Sequence, residues 1–320
     1  MQRKLTSVGD RGQFVSAVAL PGAFNRLLVA YYDATNADLR AGLCNSQQCD
    51  FFSTDRLLDN AGAAGEHTAI AINPATGFAV ISYYAATFAD ARLYVCSNAD
   101  CITGSVSTID TQNDAGKNGA LAFGANLMNF TNLFAVYDDA TLGTIKFSRS
   151  VLPFTSFGPM TLGAGTDAAI NVGASGFPDI VFRGPSDTLV HVRCLSFDCS
   201  GANQTVQTLS MPGQGFAPSI TRLPNGNAFI TSQQDNSILR GYVCNDAACS
   251  APQVLILEAG PGLGAPSIAA SYSDGRPLAF YQDAINKDVR AAECASLACT
   301  SIASRVSVNG FAVKSAKFCA

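Results

Sequence analysis

The sequence predicts an all-β fold, a six-bladed β-propeller of four-stranded antiparallel blades. A Cys-x4-Cys pair recurs along the chain, a hairpin-like run precedes each pair, and no stretch of ten or more residues keeps a convincing helical period. The pairs are Cys44 and Cys49, Cys96 and Cys101, Cys194 and Cys199, Cys244 and Cys249, and Cys294 and Cys299. Their first cysteines are 52, 98, 50 and 50 residues apart, so one pair is missing from an otherwise even internal repeat.

The segment without cysteines completes the set of six copies. It reads FAVYDDATLGTIKFSRS from Phe134 and has the same pattern as VISYYAATFADARLYVC and LAFYQDAINKDVRAAEC. Each copy opens with a β-branched and aromatic run, turns on Asp, Asn, Thr or Gly, and returns as a second run. This pattern is typical of a β-hairpin.

Two further runs complete each unit. Upstream of the hairpin lies an apolar run that ends in turn residues, such as AIAINPATG from Ala69, and downstream lies a run such as QVLILE from Gln253. We expect one propeller domain over 1–320, with blades at approximately 11–59, 60–110, 111–162, 163–209, 210–258 and 259–308. A linear solenoid would instead leave two apolar end faces, and no capping sequence is visible.

The two ends of the chain resemble each other. KLTSVGDRGQFVSAVAL near the N-terminus and RVSVNGFAVKSAKF near the C-terminus both suggest a fourth strand followed by the next first strand. One copy is redundant in a six-bladed ring. We expect an N-terminal strand added to the last blade, or else a chain cut from a longer repeat protein, and we favour the first.

Composition excludes several classes of function. Hydrophobic residues make up 48% of the chain and charged residues only 14%, which suits blades that neighbours cover on both faces. The net charge of −4 and the lack of a basic stripe argue against nucleic acid as a partner. No secretory signal is recognisable, and no eighteen-residue apolar stretch could span a membrane.

The paired cysteines are predicted to form disulfides across the hairpin between the third and fourth strands. Structural zinc would need four ligands at one point, and reduced thiols are the remaining alternative. Disulfides imply an oxidising, extracellular or cell-surface location. Cys319 has no partner, which leaves an intermolecular bond or a free thiol. Asn129 and Asn203 open two possible glycosylation sequons.

Candidate ligand-binding residues lie in the loops that enter the first strands, on the face usually called the top. They are Arg11, Glu66, His67, Lys117, Asn118 and Asp167. Five hairpin aspartates could bind calcium through their oxygens, although Asp is also favoured in turns for its backbone hydrogen bonds: Asp33, Asp138, Asp139, Asp235 and Asp283. His67 could act as a base, but the sequence names no nucleophile beside it, and His191 is interpreted as a packed or rim residue.

The PSIA strand and the LAFYQDAINKDVRAAEC hairpin resemble the six-bladed propeller repeats of bacterial secreted and surface proteins. The resemblance spans roughly Arg11 to Val308. The loops are also similar to those of NHL and gluconolactonase-like six-bladed propellers, but only in their spacing. It implies the fold. Its motifs are structural, so it implies no activity and no metal-binding positions.

The leading functional hypothesis is an extracellular, non-catalytic propeller that serves as a rigid module for binding, adhesion or assembly and needs no cofactor. Its partner would be a protein, a surface polymer or another copy of the chain. The alternative is a metal-dependent hydrolase or lyase that uses Glu66, His67 and Asp167. A third hypothesis, a glycan-binding lectin, predicts equivalent pockets between blades. Two observations argue against a lectin: the loops differ from blade to blade, and the sequence has no Trp to stack on a sugar ring.

Overall fold

The computed structural model describes residues 9–22, 26–46, 49–125, 131–173, 175–308 and 316–318. Within these ranges nearly all regular structure is β-strand, and the single helical turn is a 3-10 helix at Pro185–Asp187. No helix among the described residues has the length and apolar character that crossing a membrane would require.

The strands form six sheets, and consecutive strands pair antiparallel within each. The first two sheets contain β1 (Arg11–Ala19), β2 (Leu27–Asp33), β3 (Asp38–Cys44) and β4 (Phe52–Asp59), then β5 (Ala64–Ile72), β6 (Ala79–Ala85), β7 (Asp90–Cys96) and β8 (Gly104–Asp110). The third and fourth contain β9 (Ala115–Ala125), β10 (Thr131–Asp139), β11 (Thr144–Val151) and β12 (Met160–Ala164), then β13 (Thr166–Val172), β14 (Pro178–Arg183), β15 (Leu189–Cys194) and β16 (Gln204–Thr208). The last two contain β17 (Phe216–Arg222), β18 (Ala228–Gln234), β19 (Ile238–Val243) and β20 (Gln253–Ala259), then β21 (Leu263–Ser271), β22 (Pro277–Asp283), β23 (Asp288–Cys294) and β24 (Ile302–Val308).

These sheets belong to two compact units. One unit holds the first three sheets together with β25 (Ala316–Phe318), and the other holds the last three. β25 lies parallel to β1 as a fifth strand of the first sheet. In the described part of the chain, the last sheet contains only β21 to β24. Residues 1–8, on which the expected added N-terminal strand depends, lie outside the described residues.

The cores lie between successive sheets of a unit. Leu28 and Leu39 of the first sheet pack with Ile70 and Ile81 of the second. The middle strands are apolar on both faces for this reason, and β6 is buried along its whole length. The outer strands are more exposed, because one of their faces meets solvent: Val106 of β8 is 45% exposed.

The five predicted disulfides are present, each closing the turn between a third and a fourth strand. Their Cα atoms are 4.7 to 4.9 Å apart. The second cysteine of every pair has a positive φ, between 48° and 56°. A bridge therefore holds each of these tight turns in a conformation that non-glycine residues otherwise disfavour.

In the third sheet an aromatic side chain occupies the segment after the third strand. Phe154 is fully buried in the core of the second and third sheets, with its ring centroid 5.8 Å from that of Phe123. Its backbone carbonyl accepts a hydrogen bond of 2.7 Å from Ser107 Oγ on the second sheet. Packing and a cross-sheet hydrogen bond thus anchor this segment without a disulfide.

A buried polar network recurs between the sheets, and the sequence analysis missed it. In the second sheet, the Tyr83 hydroxyl donates to Asp59 of the preceding sheet at 2.5 Å, and Arg92 lies 3.6 Å from the same carboxylate. Tyr281 and Arg290 contact Glu258 in the same way, at 2.7 and 3.1 Å. Each arginine stands four residues before the first cysteine of its sheet, which is the signal that could have revealed the network.

In the third sheet a lysine takes the arginine's place. Lys146 Nζ lies 3.3 Å from both Asp110 and Asp139, and the Tyr137 hydroxyl donates to Asp110 at 3.1 Å. All four residues are buried. One ammonium therefore compensates two buried carboxylates, and hydrogen bonds from Tyr137 to Asp110 and from Asn113 to Asp139 stabilise the remaining negative charge in place of water.

A candidate ligand-binding surface at the strand bulges

First strands carry a β-bulge near their start. A glycine with positive φ opens the bulge in four of them, and two positions later stands a non-glycine residue with φ between 49° and 59°. The glycines are Gly12, Gly65, Gly116 and Gly165, and the residues two positions later are Phe14, His67, Asn118 and Asp167. The strand register shifts at the same place. Such strained positions are typically stabilised by the surrounding structure and often lie at functional sites.

The bulge explains where most of the predicted binding residues lie. Glu66, His67, Lys117, Asn118 and Asp167 are all bulge residues, and Arg11 directly precedes the first bulge glycine. Because a bulge redirects the side chains of consecutive residues, both positions after the glycine can leave the strand's buried face. Glu66, His67, Lys117 and Asn118 are half-buried, at the rim of their sheets.

A backbone hydrogen bond fixes two of these bulges, those at Gly65 and Gly116, against the preceding sheet. The amide of Ala64 donates to the carbonyl of Ala37 at 3.0 Å, and Ala115 donates to Ala89 at 3.1 Å. Ala37 and Ala89 both have positive φ at the start of a third strand. The bulge residues are thus held against the neighbouring sheet by main-chain contacts, independently of their side chains.

We call the contact between the first and second sheets the Glu66 junction. It contains the rings of Phe14, Tyr32 and His67. The Phe14 ring centroid lies 4.5 Å from that of His67 and 6.2 Å from that of Tyr32. Glu66 pairs with Tyr84 across its own sheet, and its charge also acts on Tyr32 of the preceding sheet. The junction therefore combines aromatic surface with a carboxylate.

Arg11 lies beside this junction but is engaged in ion pairs. Its Nε lies 2.8 Å from Asp33 and its Nη1 lies 3.0 Å from Asp55. Asp55 also accepts hydrogen bonds from Tyr31 at 2.7 Å and from Arg40 at 3.0 Å. The predicted role of Arg11 in ligand binding stays a prediction, and its observed contacts are structural.

We call the contact between the second and third sheets the Lys117 junction. The Lys117 ammonium lies 5.0 Å from the centroid of the Tyr84 ring and donates to Asp114 at 2.6 Å. The Tyr84 hydroxyl donates to the same carboxylate at 2.5 Å. Burial by itself would raise the pKa of Asp114, but the hydrogen bonds from Lys117 and Tyr84 outweigh it and hold that pKa below its usual value. Asn118 adds a 2.7 Å hydrogen bond to Asp138.

A chemically similar arrangement lies in the second unit, between the fourth and fifth sheets, and we call it the Phe216 junction. The Arg183 guanidinium stacks 4.0 Å from the Phe216 ring centroid. Arg183 Nε also donates to Asp187 at 2.7 Å. Both junctions thus place a cation over an aromatic ring and pair that cation with a carboxylate. The strands that supply the cation and the ring are reversed between the two junctions. Lys117 is a bulge residue above a second-strand ring, whereas Arg183 is a second-strand residue above a bulge ring.

Three of the five hairpin aspartates make the local hydrogen bonds that the turn interpretation expects. Asp33 accepts from the backbone amides of Thr35 and Asn36 and from the Asn36 side chain. Asp283 makes the equivalent bonds two and three residues along its own hairpin. Asp139 accepts from the Leu142 amide.

The calcium prediction gains no support from the geometry. Asp138 contacts Asn118, Asp139 contacts Lys146, and Asp235 sits in its own hairpin with φ 49°. Among the residues that the structure describes, no group of three or more His, Cys, Asp or Glu side chains could hold a metal ion.

His191 lies away from the bulges, buried on β15. It is 1% exposed, and its Nε2 lies 3.4 Å from Asp179 Oδ1. Arg193 binds the same carboxylate at 2.7 Å, and Arg222 of the next sheet binds it as well. Burial lowers the pKa of His191 to about 4, so the imidazole is neutral in the folded protein.

This burial predicts a pH-dependent loss of stability. An unfolded histidine has a pKa of about 6.5, so between pH 6.5 and 4 the unfolded chain binds a proton that the folded chain does not. The free energy of unfolding should therefore fall by on the order of 3 kcal/mol across this range because of His191. Urea unfolding of His191→Gln should show a correspondingly flatter pH profile. The protein has only two histidines, so His67→Gln is the matched control, and equal slopes in both variants would contradict the prediction.

Three other predicted sites stay predictions. Asn203 is exposed in the turn before β16, and its backbone amide donates to Ser200 at 2.8 Å. Asn129 and Cys319 lie outside the described residues.

Sequence reasoning did not find several of the residues that the junctions bring together. They are Tyr32, Tyr84, Asp114, Arg183 and Phe216. The second tyrosine of each Tyr-Tyr pair was the available signal, because alternation along a strand turns it away from its buried neighbour toward the other face of the sheet. Asp114, Arg183 and Phe216 became apparent only from the strand register and the contacts between sheets.

Comparison with known proteins identifies the fold. No protein-family model matches the chain, and no curated protein matches it by sequence. Solved structures do match. A fungal lectin from Aleuria aurantia, described as a six-bladed β-propeller that recognises fucose, aligns with 91% of this chain and 95% of its own at 11% identity and a TM-score of 0.53. The SapL1 lectin, solved with α-methyl fucoside, aligns with 92% of this chain and 95% of its own at 11% identity and a TM-score of 0.55.

An enzyme is also among the similar structures. The α-L-arabinanase of Penicillium chrysogenum, complexed with arabinobiose, covers 84% of this chain and 88% of its own at 12% identity and a TM-score of 0.55. At these identities the likeness concerns the fold alone. The predicted fold class is confirmed: the chain is a six-bladed β-propeller with four-stranded antiparallel blades and five disulfide hairpins.

Proposed function

We propose that this propeller is a non-catalytic glycan-binding protein whose ligands bind at the junctions between successive sheets. One observation carries the proposal. An aromatic ring, a cation and a carboxylate meet at the Lys117 junction, where Tyr84 is 5% exposed, and again at the Phe216 junction, where Phe216 is half-buried, although different strand positions supply the groups.

This combination suits a sugar. One face of a pyranose ring presents C–H groups that pack on an aromatic ring, while its hydroxyls need both donors and acceptors. At the Lys117 junction the Tyr84 ring would supply the packing surface. Lys117 and Asn118 would donate, and Asp114 and Asp138 would accept, once a ligand enters their network. The two junctions offer the same chemistry, which answers the sequence-based objection that the loops differ too much for a lectin.

The fold neighbours favour glycan binding over the adhesion and assembly roles that led the sequence analysis. Two of the similar structures are lectins described with fucose or a fucoside. The hydrolase alternative has less support, because no cluster of side chains among the described residues offers a metal site beside Glu66 and His67. A sugar-cleaving enzyme shares the fold, but likeness of fold does not transfer its activity.

The proposed location is extracellular, where surface glycans are available. Five disulfides within single hairpins are typical of proteins that fold in an oxidising compartment. A rigid scaffold with ligands at its loops is also the usual arrangement of a binding module.

The test is glycan binding by the intact protein and by two junction variants. An array of oligosaccharides that includes fucosides should identify a ligand, and calorimetric titration should then give its affinity. We expect Tyr84→Ala and Phe216→Ala each to remove one class of site, because truncation of an aromatic anchor at a binding site costs about 2 kcal/mol or more, or roughly thirtyfold in affinity. Tyr84→Phe keeps the ring and should retain more binding than Tyr84→Ala.

The control is Leu142→Ala, at a hairpin tip where the side chain is 57% exposed. It should leave affinity unchanged, and circular dichroism should confirm that every variant is folded. Absence of any glycan ligand, or full binding by a folded Tyr84→Ala, Phe216→Ala double variant, would refute the proposal.

A further inference from the structure

The junctions differ in the charge that accompanies their aromatic rings. At the Lys117 junction the bulge residue is a cation above Tyr84, and at the Phe216 junction Arg183 covers the bulge ring. In both, the protein itself supplies the positive charge that the electron-rich face of an aromatic ring attracts.

At the Glu66 junction the corresponding charge is negative. Glu66 occupies the bulge position that Lys117 occupies one sheet later, directly after the bulge glycine, and the ring of the preceding second strand is Tyr32 in place of Tyr84. The rings of Phe14 and His67 complete the surface. This junction thus has aromatic rings as the other two have, but the Glu66 carboxylate stands at the position that the Lys117 cation occupies one sheet later.

The electrostatics around Tyr32 agree with this arrangement. Burial raises the pKa of its hydroxyl, and the charges of Glu66, Asp33 and Asp38 raise it further. The neighbouring basic groups are engaged elsewhere: Arg11 binds Asp33 and Asp55, and Arg40 binds Asp55. Phe14, Glu66 and His67 are half-buried and give access to the surface, whereas Tyr32 is 9% exposed.

We propose that the Glu66 junction binds a cationic sugar, a hexosamine with a free ammonium group, and that the ligand supplies the missing positive charge. This inference rests on the proposed glycan-binding function and names the sugar class for one junction. The ammonium would lie against the Glu66 carboxylate and the faces of Tyr32 and Phe14, while the pyranose ring extends along the His67 side of the surface. A charge-assisted hydrogen bond together with a cation–π contact would give the preference for the amine.

The experiment compares three sugars that differ at one position. Glucosamine, N-acetylglucosamine and glucose are titrated at pH 7, with binding followed by calorimetry and by tyrosine fluorescence, which is usable because the chain has no Trp. We expect glucosamine to bind about tenfold more tightly than the other two, an advantage that weakens as salt screens the carboxylate.

Variants of Glu66 assign the preference to this junction. Glu66→Gln should lose the preference for the amine, and Glu66→Lys, which recreates the charge found at the Lys117 junction, should abolish glucosamine binding there. Asp100→Asn is the control, because Asp100 pairs with Arg26 near a cysteine hairpin and should leave the preference intact.

The outcomes separate the two proposals. Equal affinity for all three sugars, or a preference that survives in folded Glu66→Gln, would overturn this inference alone and leave glycan binding in place. Binding of no sugar at all, in these titrations and on the oligosaccharide array, would overturn the proposed function and this inference with it.

Discussion

Replacing Gly65 by alanine is expected to lower the free energy of unfolding by about 3 kcal/mol or more, whereas the same replacement at Gly12 should cost only about 1 kcal/mol. Both glycines open a bulge and both have positive φ, 111° at Gly65 and 96° at Gly12. A Cβ on Gly65 would lie 2.7 Å from Leu39 Cα on the preceding sheet, while a Cβ on Gly12 would meet no atom within 4 Å.

The pair of variants separates backbone strain from close packing. Alanine introduces the same conformational cost at both sites, so the difference between them measures how tightly the bulge is pressed against its neighbour. Gly116→Ala should resemble Gly65→Ala, because its Cβ would lie 2.8 Å from Ala91 Cα. Urea unfolding of the disulfide-intact protein is the measurement. Similar losses at Gly65 and Gly12 would show that close approach between sheets contributes little.

Replacing Lys146 by methionine should cost about 3 to 5 kcal/mol, because two buried carboxylates would lose their only cation within 4 Å in the described structure. The Lys146 side chain is 7% exposed, and those of Asp110 and Asp139 are 1% and 0% exposed. Methionine keeps most of the side-chain volume, so the loss would report the charge and not a cavity.

Lys117→Met is the matched control in the same sheet. Its ion pair with Asp114 is 32% exposed on each side, so removing it should cost less than about 1 kcal/mol. Against the opposing effect of burial, hydrogen bonds and Lys146 hold the pKa of Asp139 below its usual value. The penalty of Lys146→Met should therefore shrink at acidic pH, where Asp139 becomes protonated and needs no cation. Equal stability of the two variants, or a penalty independent of pH, would contradict the assigned role of Lys146.

The disulfides were predictable because their constraint is local. Four residues separate the cysteines of each pair, so the sequence spacing by itself limits the distance between them, and every one of the five bridges lies where the spacing places it. The third sheet shows the limit of this argument. No sequence pattern indicated that Phe154 and its hydrogen bond to Ser107 would anchor the segment that lacks cysteines.

The candidate surface was predictable only in part. Glu66, His67, Lys117, Asn118 and Asp167 were found because they lie in loops before predicted first strands, and the preceding glycines were visible in the sequence. Their partners were not. Tyr84 lies more than thirty residues before Lys117, and Arg183 lies thirty-three residues before Phe216, so only the packing of one sheet on the next brings each ring to its cation.

The repeat, the four-strand unit and the disulfide turns could be read from the sequence, because each of them depends on spacing. Which side chains meet at the junctions depends on the packing of one sheet on the next. Antiparallel register and the bulges set the direction of each side chain, and the close approach of sheets at Gly65 and Gly116 sets the partner it reaches. Two junctions could therefore acquire the same chemistry from different strand positions, a likeness that comparing the repeats along the chain cannot show.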